Sequence, residues 1–463
     1  MKKALALALA LVLAMTLFAG AAFAEAAPVT ITVGNWPDPE KDPASYETYQ
    51  GYLDIMAEKY PNITVEPSDF EFDLQTYLPI AASGQLPTTY QAHYTEVKSI
   101  IANGYAADLT DILGEYNYDE YLNDDALKLV SVDDRIYALP IGAYANGIMV
   151  NAKLFKDAGY VTDDGKLVVP KTWDELAQTA ADIQEKTGAK GFMFYSKSNM
   201  GGWMFTNLGW TYGVVFEQDN GDGTFTAAFN SEEAAAAMQF LHDLKWKHNV
   251  LPENTIVDRT DGLQLLATDQ LAMIISPPDV AWELTNTYGM DLMDIGEFAI
   301  PSGPAGQAVL TGGTARFFAP NATPEQIDAG IKWLQVTGYS PEATDDVVAA
   351  KTAHWDAQAA EGRPVSNVNM SVWAGGTAYD AEHAIIEERT NMDMNLFADY
   401  IENGSTNLHA EEPVAVQALY QLMDTIIQEV FTNESADIPA LLEEANTSFQ
   451  TNNLDVYNAS VAK

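Results

Sequence analysis

Gly147-Ile148-Met149-Val150-Asn151-Ala152-Lys153-Leu154-Phe155-Lys156-Asp157-Ala158-Gly159, followed by Pro170-Lys171-Thr172-Trp173-Asp174-Glu175-Leu176, is the stretch from which the fold is read. Gly147 to Asn151 is short, apolar and unbroken, the pattern of a strand buried on both faces. Ala152 to Ala158 reads as a brief helix stopped by Gly159. Thr172 with Glu175 three residues on is a capping-box start for a helix running to about Lys186.

The same alternation extends in both directions. Val29 to Val33 is a β-branched strand that breaks at Gly34-Asn35-Trp36-Pro37, and a helix follows from about Tyr46 to Lys59. Asn62 to Glu66 is the next strand and Leu74 to Ser83 the next helix. Strand and helix in this rhythm predict a parallel sheet covered on both faces. Further along, Phe192 to Tyr195 and Leu271 to Ile275 read as buried strands. Ser231 to Lys247 reads as a helix with a Ser cap and acidic first turn, and Thr323 to Thr337 as a helix with Pro324 at its first position. Between Tyr339 and Asn407 the pattern loosens into surface excursions, and Pro413 to Phe431 and Ile438 to Asn446 return to amphipathic helices.

At the N-terminus, Lys2 and Lys3 precede an apolar run that ends in Ala22-Phe23-Ala24, the build of a secretory leader cleaved after Ala24. The run is shorter than the roughly 20 residues of a spanning helix. Leu17-Phe18-Ala19-Gly20 resembles a lipoprotein processing box, but Ala21 stands where the lipid-bearing thiol would be, so a cysteine-linked anchor is not expected. The chain has no cysteine; one this long can bury enough core to need no disulfide. Its formal charge of -43 speaks against nucleic acid and anionic lipid surfaces as partners and for high solubility. There is no internal repeat and no low-complexity linker, so two lobes with several chain crossings fit better than independent domains in series.

The motif Asn-x-x-Leu-Phe-x-x-Ala-Gly at 151–159, followed by Pro-x-Thr-Trp-x-Glu-Leu at 170–176, resembles family 1 of the extracellular solute-binding proteins, the sugar-binding receptors of ABC importers. Gly84-Gln85-Leu86-Pro87, Gly104 to Thr110, Ile300 to Gly306 and Thr311-Gly312-Gly313 occupy the family's order. Thr88-Thr89-Tyr90 departs from the Asp-Val expected after Leu-Pro. The resemblance implies an α/β fold of the periplasmic binding protein type II kind, with two Rossmann-like lobes, multiple crossings and a ligand cleft between them. It divides the chain into a leader at 1–24, the first part of lobe 1 at 25–141, the first part of lobe 2 at 142–300, a crossing and return to lobe 1 at 301–345, and mainly lobe 2 with C-terminal helices at 346–463. It further implies a monomer in the periplasm or at the cell surface that closes on a mono- or oligosaccharide and presents it to ABC permease subunits, with no chemistry, no cofactor and no metal.

Sugar sites pair aromatic platforms with side chains that both donate and accept hydrogen bonds. Candidates at strand ends and crossings are Asn35 and Trp36 after the first strand; Tyr94 at a helix start; Tyr144 at the first crossing; Trp203 and Asn207 in the loop after Tyr195; Asp279 and Trp282 in the loop after Ile275; Gly312, Gly313 and Arg316 at the second crossing; and Trp373 in the loose C-terminal stretch. An aromatic is more often core than platform, and Trp173, Trp246 and Trp333, inside helical patterns, read as packing. Asp219-Asn220-Gly221-Asp222-Gly223 reads as a hairpin turn rather than a calcium loop, because the closing Glu is absent. The rival classes are a secreted carbohydrate hydrolase acting through paired carboxylates, and a receptor for a polyamine, a metal chelate or an acidic sugar.

Overall fold

The computed structural model describes residues 27–73 and 76–461; the secretory leader lies outside them, as do the first two residues expected in the helix from Leu74. The principal elements in chain order are β1 (Val29–Val33), α1 (Pro43–Lys59), β2 (Ile63–Pro67), α2 (Tyr77–Ala82), β3 (Thr89–His93), β4 (Ala138–Ala145), β5 (Gly147–Asn151), α3 (Ala152–Asp157), α4 (Trp173–Thr187), α5 (Met200–Tyr212) and α6 (Glu232–Trp246). They continue with β6 (Met273–Ser276), β7 (Ile295–Ala299), β8 (Val309–Phe318), α7 (Pro324–Val336), α8 (Asp345–Ala360), α9 (Thr377–Arg389), β9 (Leu408–His409), α10 (Val416–Thr432) and α11 (Ile438–Phe449). No helix among the described residues is long and apolar enough to cross a membrane.

The described chain divides into two compact units, 27–91 with 317–339 and 92–316 with 340–461. In the first unit β1 pairs in parallel with β2 from Val29↔Ile63 onward and with β3 at Val33↔Thr89, as the strand–helix rhythm predicts. Helix α7 carries a complete capping box between Thr323 and Gln326, with Pro324 at its first turn, and it packs against α1 and β1.

In the second unit β5 is central. All five of its residues are buried, and it is flanked antiparallel by β6 (Met273↔Val150) and β7 (Ile295↔Asn151). This corrects the expectation of parallel strands throughout: an unbroken apolar run reports burial on both faces, and it carries no information on strand direction. Phe192 to Tyr195 is likewise not a strand. It is buried, extended backbone, with Phe192 N donating to Val250 O at 3.3 Å and Met193 N to Met273 O at 3.1 Å. The loose stretch after Tyr339 holds two long helices, α8 and α9, packed on each other. Asp219 to Gly223 does lie in a hairpin, between strands Glu217–Asp219 and Phe225–Ala227.

The deciding motif is explained by packing. Asn151 is fully buried; its Oδ1 accepts from Leu154 N at 3.1 Å and caps α3, and its Nδ2 donates to Leu266 O at 3.0 Å and Asp269 Oδ1 at 2.8 Å. Lys153 closes the same corner by an ion pair with Asp269. Thr172 caps α4 by accepting from Glu175 N, but the Glu175 carboxylate turns to Lys171 N at 2.7 Å rather than completing a capping box. Trp173, 2% exposed, donates its indole N–H to Thr211 Oγ1 at 2.9 Å and so ties α4 to α5. Asn151→Ala removes a cap and leaves the Leu266 carbonyl without this donor, so it is expected to lower stability by about 2 kcal/mol in urea unfolding.

Candidate functional site

The second unit gathers aromatic rings and carboxyls around the middle of β8. A side chain at Gly312 would meet the Tyr144 hydroxyl at 2.2 Å, so the bare backbone is what admits the phenol. Gly313 has φ 148, and a Cβ there would stand 2.1 Å from the carbonyl of Gly142 and 2.8 Å from the Tyr94 ring. Tyr144 is held through its own carbonyl, which accepts from Thr311 Oγ1 at 2.7 Å. Its ring meets Trp203 edge to face, centroids 6.4 Å apart at 77°. Tyr94, Tyr144, Trp203, Gly312 and Gly313 are therefore brought together.

Trp203 sits inside helix α5 and not in a loop, a correction to its expected setting. A Cβ at Gly202 would lie 2.2 Å from Tyr420 O, so the glycine serves close packing of α5 on α10. Asp424 of α10 secures the start of α5 by accepting from Asn199 N at 2.7 Å and Gly202 N at 2.8 Å.

The segment from β9 into α10 contributes two neighbouring acids that no sequence signal separates from the chain's 66 acidic residues. The Glu411 carboxyl lies near the Trp203 indole and the Tyr420 hydroxyl. Glu412 Oε1 accepts from Trp210 Nε1 at 3.1 Å. Behind them Glu217 Oε2 accepts from Val414 N at 3.1 Å. Burial pushes Glu411 and Glu412 each up to about 7, in Glu412 against the lowering effect of the Trp210 indole bond. Burial, with the neighbouring Glu412 charge, pushes Glu217 up to about 9.

Asp279 is at the surface yet hemmed in by protein, which raises its carboxyl despite the opposing Arg259 charge; it bears electrostatically on Tyr144. Glu297 of β7 is fully buried with no hydrogen-bond partner for either oxygen among the described residues, and burial holds it well above the usual carboxylate range.

The remaining candidates are held by other contacts. Asn35 and Trp36 belong to the first unit. Asn35 adopts φ 58, and its Oδ1 accepts from Gln91 N at 2.9 Å; Trp36 stacks on Trp333 at 5.6 Å and 18°. Asn207 is buried, its amide bonded to Ala308 O at 3.2 Å and Leu310 N at 2.8 Å, so it joins α5 to β8. Arg316 is buried within β8, 4% exposed. Trp282 lies in the short helix Ala281–Asn286 rather than in a loop, since the Pro277-Pro278 pair ends the strand and starts helical turns. The Arg363 guanidinium covers its ring at 4.2 Å. Trp373 packs on Tyr118 and lines a cavity of about 320 Å³ in the second unit, with Asn123, Asn367, Tyr379 and Tyr400.

The family profile for bacterial extracellular solute-binding proteins matches residues 36–345. The chain belongs to this family. A binding protein of Brucella abortus strain 2308 is 27% identical to this solute-binding protein over 197 residues, 41% of this chain and 45% of that one, so the match spans under half of that relative. Among solved structures, the cyclic alpha-maltosyl-1,6-maltose binding protein from Arthrobacter globiformis is 21% identical with a TM-score of 0.63, covering 91% of this chain and 98% of that one. The maltose-bound MalE3 of T. maritima is 18% identical with a TM-score of 0.61, covering 91% and 99%. These likenesses establish the fold that the sequence predicted, an α/β solute-binding fold.

Carboxyls raised by burial keep protons in the folded chain that the unfolded chain releases near 4.5, so they favour folding at low pH and that contribution is lost as pH rises through 7 and then 9. The melting temperature is therefore expected to fall from pH 6 to pH 9. Glu217→Gln, which cannot ionise, should remove the part of the fall between pH 7 and 9, by several degrees at pH 9; a scan of melting temperature against pH for both proteins checks this.

Proposed function

We propose that this solute-binding protein is the extracytoplasmic receptor of an ABC importer, that its solute is a saccharide, and that Tyr144 and Trp203 form the face on which the sugar ring lies. The carrying observation is the edge-to-face pair of Tyr144 and Trp203 beside the bare backbone of Gly312 and Gly313. Aromatic faces meet the C–H face of a pyranose, while neighbouring carboxyls such as Glu411 and Asp279 accept from its hydroxyls. The structural neighbours whose names specify maltose and a cyclic maltosyl-maltose agree with this choice, although fold alone does not set ligand identity.

On this reading the chain is exported behind its leader, acts as a monomer with permease subunits as partners, and returns its solute unaltered. A polyamine or another cationic solute is the second reading, favoured by the acids Glu96, Asp279, Glu411 and Glu412 near the same rings. An acidic sugar loses its main support, since Arg316 is buried in a strand.

A thermal-shift and calorimetry panel of maltose, maltotriose, chitin oligosaccharides, glucuronate oligomers and spermidine tests this. A neutral saccharide is expected to raise the melting temperature with no new product by chromatography. Trp203→Ala should weaken its binding 10- to 100-fold, in line with losing one stacking ring. Spermidine as the sole binder would transfer the assignment to the cationic class, and formation of cleaved sugar would make the protein an enzyme.

A further inference from the structure

Tyr144 and Ala145 are successive residues of β4, so their side chains leave the strand on opposite faces. Tyr144 goes to the rings and glycines of the candidate site. Ala145 lines the cavity of about 320 Å³ whose wall includes Trp373. That cavity, whose lining residues all belong to the second unit, is therefore a separate space from the Tyr144–Trp203 face.

Its walls are fixed by contacts of their own. The segment carrying Trp373 is tied to 121–123 by an isolated antiparallel bridge, with Asn123 N donating to Val372 O at 2.9 Å and Ala374 N to Tyr121 O at 2.8 Å. The start of that segment is held by Val365 N donating to Asn391 Oδ1 at 2.8 Å, and the Trp373 ring rests on Tyr118 at 5.5 Å. Tyr400, 4% exposed, donates its hydroxyl to Ala145 O at 2.7 Å, so it contributes ring rather than polar group to the cavity. With Ala145 and Val368, both buried, it makes an apolar wall.

The polar groups of the lining have hydrogen-bonding capacity left over. Asn123 commits its Oδ1 to Asp125 N at 2.9 Å and Ala126 N at 3.3 Å, capping the short helix Asp124–Leu129, and its Nδ2 has no partner among the described residues. The Asn369 amide, the Tyr379 and Ser405 hydroxyls and the Trp373 indole N–H likewise have none among them. A chain with 66 acidic residues places just one, Asp125, in this lining, and Lys128 pairs with it at 2.8 Å. Unpaired amides and hydroxyls beside apolar rings, with no free charge, complement a molecule that is polyhydroxylated, uncharged and apolar on its C–H faces. The volume is at the lower end for small-molecule sites and suits one ring rather than a chain of them.

We propose that this cavity is a second binding site, for a neutral monosaccharide or cyclic polyol, independent of the Tyr144–Trp203 face. Trp373 and Tyr400 supply the apolar surface, and Asn123, Asn369, Tyr379 and Ser405 the hydrogen bonds. A charged solute finds no free counter-charge there.

Indole Nε1–H resonances of the whole protein, with two of them assigned by Trp373→Phe and Trp203→Phe, are to be followed during titration with glucose, mannose and myo-inositol. At least one probe is expected to shift the Trp373 signal saturably, with half-saturation at about 1 mM, as suits one ring held by a few hydrogen bonds. The shift should persist in Trp203→Ala. Asn369→Ala with Ser405→Ala removes two exposed side chains that bond to nothing among the described residues, so it should weaken the probe about 10-fold with the melting temperature unchanged. Ser405→Trp, filling the cavity from its exposed rim, should abolish the shift.

A Trp373 signal that stays still with all three probes, or a shift undiminished in both Ser405 variants, overturns the site. Glucuronate or glucosamine bound more tightly than glucose overturns the neutral class. A saturable Trp373 shift in a protein whose Trp203 signal answers no saccharide upholds the cavity and removes the Tyr144–Trp203 assignment, and a Trp203 response alone does the reverse.

Discussion

Strand β5 is the constraint on which the second unit depends. With both faces buried and a strand hydrogen-bonded along each edge, its five residues have no freedom of register, because a slip by one would invert every side chain. Its ends carry that rigidity outward. At the C-terminal end Asn151 caps α3 and grips Leu266 and Asp269; at the N-terminal end a single residue, Asn146, separates it from β4, where Tyr144 stands. A ring placed one step from a fixed strand is a ring held at little further entropic cost, which is what a binding surface requires.

Around that rigid base the molecule collects buried acids. Glu217, Glu297, Glu411, Glu412 and Asp424 all lie where burial raises their carboxyls. Their surroundings differ: Asp424 is satisfied by backbone N–H groups at the start of α5, Glu412 by the Trp210 indole, and Glu297 by no partner among the described residues. A hydrogen-bonded acid in this setting organises the groups around it, whereas an unsatisfied one adds strain and favours its neutral form. The overall charge of -43 hides these distinctions, because most acids on the chain face water and differ little from one another.

Fold and site were legible to different degrees. The 151–176 motif led to the family, and caps and periodicity placed α1, α3, α4, α6, α7, α10 and α11 to within a few residues, whereas α5, α8 and α9 were not legible. Trp203 and Trp282 follow apolar strand-like runs and read as loop residues, yet both lie in helices. In α5 the glycines instead permit close contact with α10, a reason visible only once α10 is in place. Gly312 and Gly313 are visible in the sequence as bare backbone, but that Tyr144 and Tyr94 fill the space beside them depends on segments more than a hundred residues earlier.

By itself the sequence determined the α/β class, the caps and stops of its helices, the strand character of β5 and the receptor family, because these follow from local periodicity and from short motifs whose geometry is nearly independent of context. Only the tertiary structure decided that β5 runs antiparallel to its neighbours, that Asn207 and Arg316 are interior groups, and that Glu412 accepts from the Trp210 indole some two hundred residues earlier. The reason is physical: strand direction, burial and a carboxyl's proton affinity depend on what the rest of the chain brings alongside, and a linear pattern holds no record of that neighbour.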